Sequence, residues 1–244
     1  MTLTSTPPTA RRPGAERAVS SSAADTGSAP ATGQAPATGS ATAGATFAAA
    51  DKVAARRDEL ATAALRTLAE RGYANTSLRE IAQNSAFSHG VLHYYFADKT
   101  ELIIHCVRLY KTRCVRRYDD ITALATSAED VVRRFLDALT LTLRRDAHEQ
   151  RLWYDLRAQS LFDPSFRDDV AAIDDQLRAM VWRILGCYAE FSGRPPVVDP
   201  PTAYALLDGI VFHGVQARLA GADGVEQTLE RQIQLLMPRL LAES

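Results

Sequence analysis

Three helix-start signals fall within one short stretch, and their spacing restricts what that stretch can become. Ser77 stands three residues before Glu80, Ser88 opens a second run, and Asp98 stands three residues before Glu101. At such positions a side-chain oxygen accepts a free backbone N–H of the first turn, and an acid three residues on reaches back toward the start. The stretch reads as two short helices, from Ser77 to near Asn84 and from Ser88 to Phe96, joined by Ser85, Ala86 and Phe87. A longer helix follows, from Asp98 to about Tyr118. Upstream, a helix over 51–71 carries an apolar stripe of Val53, Leu60, Ala61, Ala64, Leu65 and Leu68, with Gly72 placed to end it.

A short helix, a tight turn and a second short helix packed on a longer first helix form a helix-turn-helix, which presents its second short helix to the DNA major groove. Leu92, Tyr95 and Phe96 share one side of that helix and pack on Leu78, Ile81 and Ala82. Gly90, His93 and Tyr94 are left pointing outward, with His89 and Val91 on the flanks. Gly90 permits close backbone approach, Val91 can touch a thymine methyl, and the two histidines and Tyr94 can bond bases or phosphates. Thr76, Ser77, Ser88 and Lys99 sit at helix N-termini, where free N–H groups and the helix dipole favour a phosphate.

Charge is distributed to match. The net charge is −1, yet residues 51–118 hold twelve Lys or Arg against seven acids, and residues 119–244 hold thirteen against twenty. A basic segment joined to an acidic one suits a phosphate-facing module on a module with another task, against the plainer reading of chance clustering on a solvated surface.

Thr76-Ser77-Leu78-Arg79-Glu80-Ile81-Ala82, then Ser88-His89-Gly90-Val91-Leu92-His93-Tyr94-Tyr95-Phe96, then Asp98-Lys99-Thr100-Glu101-Leu102 together resemble the DNA-binding domain of the TetR (tetracycline repressor) family of bacterial transcriptional regulators. The resemblance covers about sixty residues. It implies an all-α chain with an N-terminal three-helix helix-turn-helix domain followed by a helical effector-binding and dimerisation domain. It further implies a homodimer, a pseudo-palindromic double-stranded operator, and release by a small-molecule effector. Two departures stand out: the turn commonly written Ala-Gly-Val-Ser is Ser85-Ala86-Phe87-Ser88 here, and the usual Tyr-His pair appears as His93-Tyr94.

The expected domains are a tail over 1–50, the DNA-binding domain over 51–110 and the helical domain over 111–244. Forty of the first fifty residues are Ala, Gly, Ser, Thr or Pro, too few large apolar groups to offset ordering entropy, so the tail reads as disordered. Arg11, Arg12 and Arg17 make it either an arm for DNA phosphates or an inert extension. After Ser127 with Asp130, whose helix buries Val131, Val132, Phe135, Leu136, Leu139 and Leu143, helices are expected near 147–160, 165–191, 202–220 and 225–240. Ser192 to Pro201, with Gly193 and four prolines, reads as a loop.

The last two helices offer Leu206, Ile210, Gly214 and Ala217, and Val225, Leu229, Ile233 and Leu236. Periodicity alone would pack these stripes within the subunit, whereas the resemblance implies a two-fold four-helix interface. Phe135, Trp153, Tyr154, Phe162, Trp182, Phe212 and His213 are candidate walls of an effector pocket, against the plainer reading of ordinary core. Asp155, Asp174, Asp175 and Asp208 point to an amphipathic or cationic effector, and Ala205 to Ile210 resembles the branch typified by the choline-responsive regulator.

Enzymatic readings find no support: there is no phosphate loop, H-E-x-x-H pair or nucleophile elbow, and His148 and His213 read as structural. Cys106, Cys114 and Cys187 lack metal-ligand spacing and read as reduced structural thiols, and neither metal nor cofactor is expected. With no apolar run long enough to span a bilayer, a cytoplasmic protein is expected, without a membrane partner. The rival from another class is a nucleoid-associated or partner-regulated DNA binder without a small ligand, which a sealed C-terminal core would favour.

Overall fold

The computed structural model describes the backbone of residues 40–243 and the side chains from residue 50. The expected tail lies outside the described residues up to position 39, and Arg11, Arg12 and Arg17 of its proposed arm lie there with it. Helix α1 spans Ser40–Arg71, α2 Leu78–Gln83, α3 His89–Tyr95, α4 Lys99–Leu124 and α5 Ala128–Arg145. Helix α6 spans Ala147–Gln159, α7 Arg167–Ser192, α8 Pro200–Leu219 and α9 Val225–Leu236. Short 3-10 turns cover Pro164–Phe166 and Met237–Leu240, and there is no strand among the described residues.

The capping signals act where the sequence places them. Ser77 Oγ accepts from Glu80 N at 3.2 Å while Glu80 Oε2 accepts from Ser77 N at 2.8 Å, a complete box. At α4, Asp98 Oδ1 accepts from Glu101 N at 2.8 Å, but the returning Glu101 carboxylate reaches Ala97 N rather than Asp98 N, at 2.7 Å. Helix α5 does the same through Ser127 and Asp130, with Thr126 N as the second donor at 3.1 Å. Gly72 follows α1 at φ +79°, the left-handed conformation a helix end needs and a Cβ resists.

Several boundaries move. Helix α1 starts eleven residues before Asp51, through the alanine-rich end of the expected tail, because alanine carries the best intrinsic helix propensity. Val53 is exposed, since the apolar contacts of α1 begin further along the helix. Helix α4 continues to Leu124, six residues past Tyr118, so the expected domain boundary after residue 110 falls inside one unbroken helix. Helix α8 starts at Pro200 instead of 202: Asp199 caps it, accepting from Thr202 N at 2.8 Å, and prolines are tolerated in a first turn whose N–H groups are unpaired anyway.

The core is continuous through both halves. Leu60, Leu68, Ile81, Leu92, Phe96 and Ile103 are buried where α1 to α4 meet, and α7 packs against α4, α5 and α8 around Phe135, Leu177 and Ile184. Each fully buried Leu or Phe contributes about 1.5–3 kcal/mol relative to exposure. Residues 240–242 are tied to the α7–α8 connection by Val197 N to Leu240 O and Ala242 N to Pro195 O, both 2.9 Å.

Candidate nucleic-acid interface and effector cavity

Helix α3 is held from behind and bare in front. Leu92 and Phe96 are fully buried against Ile81, and the Arg57 guanidinium lies 4.6 Å from the Phe96 ring centre while pairing with Glu101 at 2.6 Å. On the other side Ser88, His89, Gly90, His93 and Tyr94 are exposed, with Tyr94 at 81 %, and Val91 is half-buried at the flank. The His89 and His93 rings meet edge to face at 4.4 Å, as do Tyr94 and Tyr95 at 4.9 Å. A Cβ on Gly90 would meet nothing within 4 Å, so nothing inside the chain requires glycine there. The altered turn is braced locally: Phe87 N donates to Ser85 Oγ at 3.3 Å, and the Arg56 guanidinium covers the Phe87 ring at 4.7 Å.

Two of the expected phosphate contacts are used internally. Thr76 is buried and its hydroxyl donates to Gly72 O at 2.8 Å, closing the end of α1. Lys99 Nζ donates to Tyr73 O at 2.9 Å and sits 4.1 Å from the Tyr73 ring centre, tying the start of α4 to the α1–α2 loop. Ser77 and Ser88 remain exposed, their oxygens serving as caps. Arg79, which is not among the expected contacts, is exposed on α2 and has no carboxylate partner among the described residues. Its signal was its place two residues into the capped helix.

The loop holding Tyr73 joins the two halves. Tyr73 N donates to Asp155 Oδ2 of α6 at 3.0 Å, and the Tyr73 ring meets Phe166 edge to face at 5.5 Å. Arg151 of α6 donates to Ala69 O at 2.6 Å and Glu70 O at 2.8 Å, satisfying the last carbonyls of α1.

Inside the C-terminal half is a cavity of about 60 Å³, walled by Lys111, Gln150, Tyr154 and Asp208 on its polar part and by Phe135, Met180 and Val211 among apolar groups. Of the expected pocket residues, Phe135 and Tyr154 line it. Trp153 is fully buried beside it, Trp182 is half-buried elsewhere, and Phe212 packs on Tyr154 at 4.7 Å. Phe162 and His213 are exposed, Phe162 at 84 %, because the α6–α7 connection turns outward and His213 occupies the outer side of α8; neither walls the cavity. His148 is likewise exposed.

The acids expected to favour a cation are engaged. Asp208 accepts from Tyr154 Oη at 3.0 Å and Arg157 Nη1 at 2.6 Å. Asp174 accepts from Tyr204 Oη at 2.6 Å and lies 3.6 Å from Arg157 Nε, Asp155 serves Tyr73, and Asp175 pairs with Arg178. Burial, with Asp208 alongside, holds the Tyr154 and Tyr204 phenols well above their ordinary value, so both remain donors. Lys111 and Gln150 are polar cavity residues that sequence reasoning missed, although Lys111 stands on one helical line with buried Val107, Cys114 and Tyr118. A lysine on an apolar stripe is the signal that would have found it.

The expected dimer stripe divides. Val225, Leu229 and Ile233 are buried within the subunit, where α9 packs on α5 and α8, and a Cβ on Gly214 would approach Leu143 to 3.2 Å, so these four face inward. Leu236 also packs on the core. Leu206 is 44 % exposed, Ile210 and Ala217 are half-buried, and Leu235 on the outer side of α9 is 52 % exposed. No helix among the described residues is long and apolar enough to cross a membrane, and no group of three potential metal ligands occurs there.

Residues 60–106 match the family model of bacterial regulatory proteins of the tetR family, and residues 128–238 match that of the BetI-type transcriptional repressor C-terminal domain. The HTH-type transcriptional regulator PksA of Bacillus subtilis is 26 % identical over 165 residues, covering 66 % of this chain and 78 % of PksA. The HTH-type transcriptional repressor KstR2 of Mycolicibacterium smegmatis is 25 % identical over 144 residues, covering 48 % and 70 % of the two chains. A transcriptional regulator of Saccharomonospora viridis in complex with choline shares the fold, with a TM-score of 0.63 at 19 % identity, over 78 % of this chain and all of that one.

Proposed function

The chain belongs to the TetR family of bacterial transcriptional regulators, and from that premise we propose that it acts as a homodimeric repressor that binds a pseudo-palindromic operator through α3 and is released by a small-molecule effector. The observation that carries this reading is the outer face of α3. A rigid buried side formed by Leu92 and Phe96 presents Gly90, His93 and Tyr94 to solvent. Gly90 stands in the first turn of α3, where no neighbour within the chain accounts for a glycine, so close approach of DNA supplies the reason. His89 and Val91 flank the reading residues, and Arg79, with Ser77 and Ser88, supplies backbone contacts that fix position without reading sequence.

Dimerisation uses the outer side of α8, where Leu206, Ile210, His213 and Ala217 recur at helical spacing, together with Leu235 of α9. Two copies related by a two-fold axis would bring these surfaces together and set the half-site spacing. The effector enters the cavity between α4, α5, α6, α7 and α8. That a neighbour of the same fold holds choline supports a small molecule in this half of the chain.

A genome-wide binding map followed by gel shifts tests the operator reading. It should return a two-fold motif whose affinity falls steeply with salt, and His93→Ala with Tyr94→Ala should flatten sequence preference while sparing the fold. An unaltered preference would falsify the assignment of the reading face. A DNA binder without a small ligand is the second reading, favoured by the small cavity volume. Operator release by any cavity-binding compound excludes it.

A further inference from the structure

The interior of the C-terminal half holds a cation that the protein leaves largely unanswered. Lys111 is 4 % exposed and lines the cavity. Its ammonium has three donors, and its acceptor among the described residues is Gln150 Oε1 at 2.7 Å. No carboxylate pairs with it among the described residues: Asp208 and Asp174, held by Arg157 and two tyrosine hydroxyls, act on it only from a distance. Burying an ammonium on these terms is costly.

Two aromatic rings stand near the ammonium, neither of them in the cavity wall, and one carries a donor with no acceptor. The Trp153 ring lies 5.0 Å from Lys111 Nζ, and its buried Nε1–H has no hydrogen-bond partner. The Tyr110 ring lies 5.6 Å from the same nitrogen, with its buried hydroxyl beside the Cys114 thiol. Buried polar groups are almost always satisfied, so an under-bonded ammonium on a cavity wall, with an orphaned indole N–H near it, points to an acceptor that belongs there.

We propose that Lys111 anchors the effector and that the effector carries an anionic head, a carboxylate or phosphate, on an apolar body. This rests on the reading that the C-terminal half takes a small molecule. The anion meets Lys111 Nζ in place of, or beside, Gln150, and a charge-assisted hydrogen bond in a water-poor site gives it both affinity and orientation. A cationic head would face the ammonium with both nearby carboxylates already engaged, so of the amphipathic and cationic effectors expected, the proposal takes the amphipathic one. The cavity holds the head alone. The apolar body is admitted by parting side chains such as Phe135, Met180 and Val211, which moves the helices that carry them. Burial holds Lys111 down to about 8, which an anion would raise again.

The test uses the full chain with Trp182→Phe, which leaves Trp153 as the sole tryptophan and a local reporter. Its emission is followed during titration with decanoate, decyl phosphate, decanol and decyltrimethylammonium, all kept below micelle formation. At least one anion should saturate the signal and bind roughly tenfold more tightly than the cation. Lys111→Met should weaken that anion by a similar factor while leaving decanol unaffected, and Lys111→Arg should retain most of the affinity. The proposal is overturned if neither anion binds saturably, if the cation binds as tightly, or if Lys111→Met holds the anion like the parent. The head-group comparison needs no substitution at Lys111, so a folding defect in that variant does not blunt it. No DNA is present, so failure here removes the anionic head and leaves the operator reading intact. A bound anion that does not move the operator would instead remove the release mechanism.

Discussion

The Tyr73 backbone N–H donates to the Asp155 carboxylate at 3.0 Å, across a sequence separation of 82 residues. It is one of few polar links between the helix-turn-helix and α6, and the same tyrosine takes Lys99 on its ring and carbonyl. Asp155→Ala would leave that N–H without its acceptor at a cost of about 1–2 kcal/mol. Urea unfolding should register the loss, and the Tyr73 amide should exchange faster with solvent. If both are unchanged, the link does not hold the two halves together.

Gly90→Ala separates stability from DNA binding. Because a Cβ there meets nothing within 4 Å and the backbone does not need glycine, the fold should gain roughly 0.4–1 kcal/mol, chiefly from the lower freedom of the unfolded chain. Operator affinity should fall at the same time. A variant that is more stable and binds as tightly would show that α3 keeps its distance from the groove at this position.

Lys111 gives stability a distinctive pH dependence. The unfolded chain holds its proton up to the ordinary value of 10.5, whereas in the folded chain burial lets it go from about 8. Between these values the unfolded state binds more protons, so stability from this group rises with pH, by roughly 3 kcal/mol across the window. Cys114, Asp208, Arg157 and Asp174 also act on this ammonium, and the buried Cys114 and Tyr118, both held high, work in the opposite sense at alkaline pH. The difference between the parent and Lys111→Met therefore isolates it. Denaturation curves should converge as pH rises from 8 to 10, with Lys111→Met the more stable near 7. Parallel curves would mean that the burial cost is relieved some other way.

Leu206→Arg with Leu235→Arg should convert a dimer to a folded monomer, since both side chains are exposed in the single subunit. Sedimentation equilibrium at micromolar concentration should show association weakened by about a hundredfold, as loss of central apolar anchors produces. Helical content should stay the same. A parent protein that is already monomeric would remove the interface altogether.

How much the sequence disclosed depends on the range of the interactions involved. Ser77, Asp98 and Ser127 declare their helices because a cap depends on residues three or four away, and Leu92 with Phe96 declare a buried face because helical spacing is local. Val225, Leu229 and Ile233 mark a buried face equally well, but a stripe does not say what buries it, and α5 and α8 of the same subunit do. Phe162 looked like a pocket wall by type and is bare because of how one connection turns. Tyr73, Asp155 and the cavity around Lys111 arise only when distant helices meet, and no spacing rule reaches that far.

Helix α4 carries Lys99 against Tyr73 near one end and Lys111 in the cavity three turns later, with no break between them. Those twelve residues span about 18 Å, and each further residue would turn everything beyond it by about 100°. Inserting one alanine between Leu109 and Tyr110 would leave both halves their own sequences yet swing Lys111 out of its cavity or Lys99 off its tyrosine. The spacing of these two lysines is thus a phase relationship, fixed at about three and a third helical turns, and substitutions can change either end's chemistry only while that count is kept.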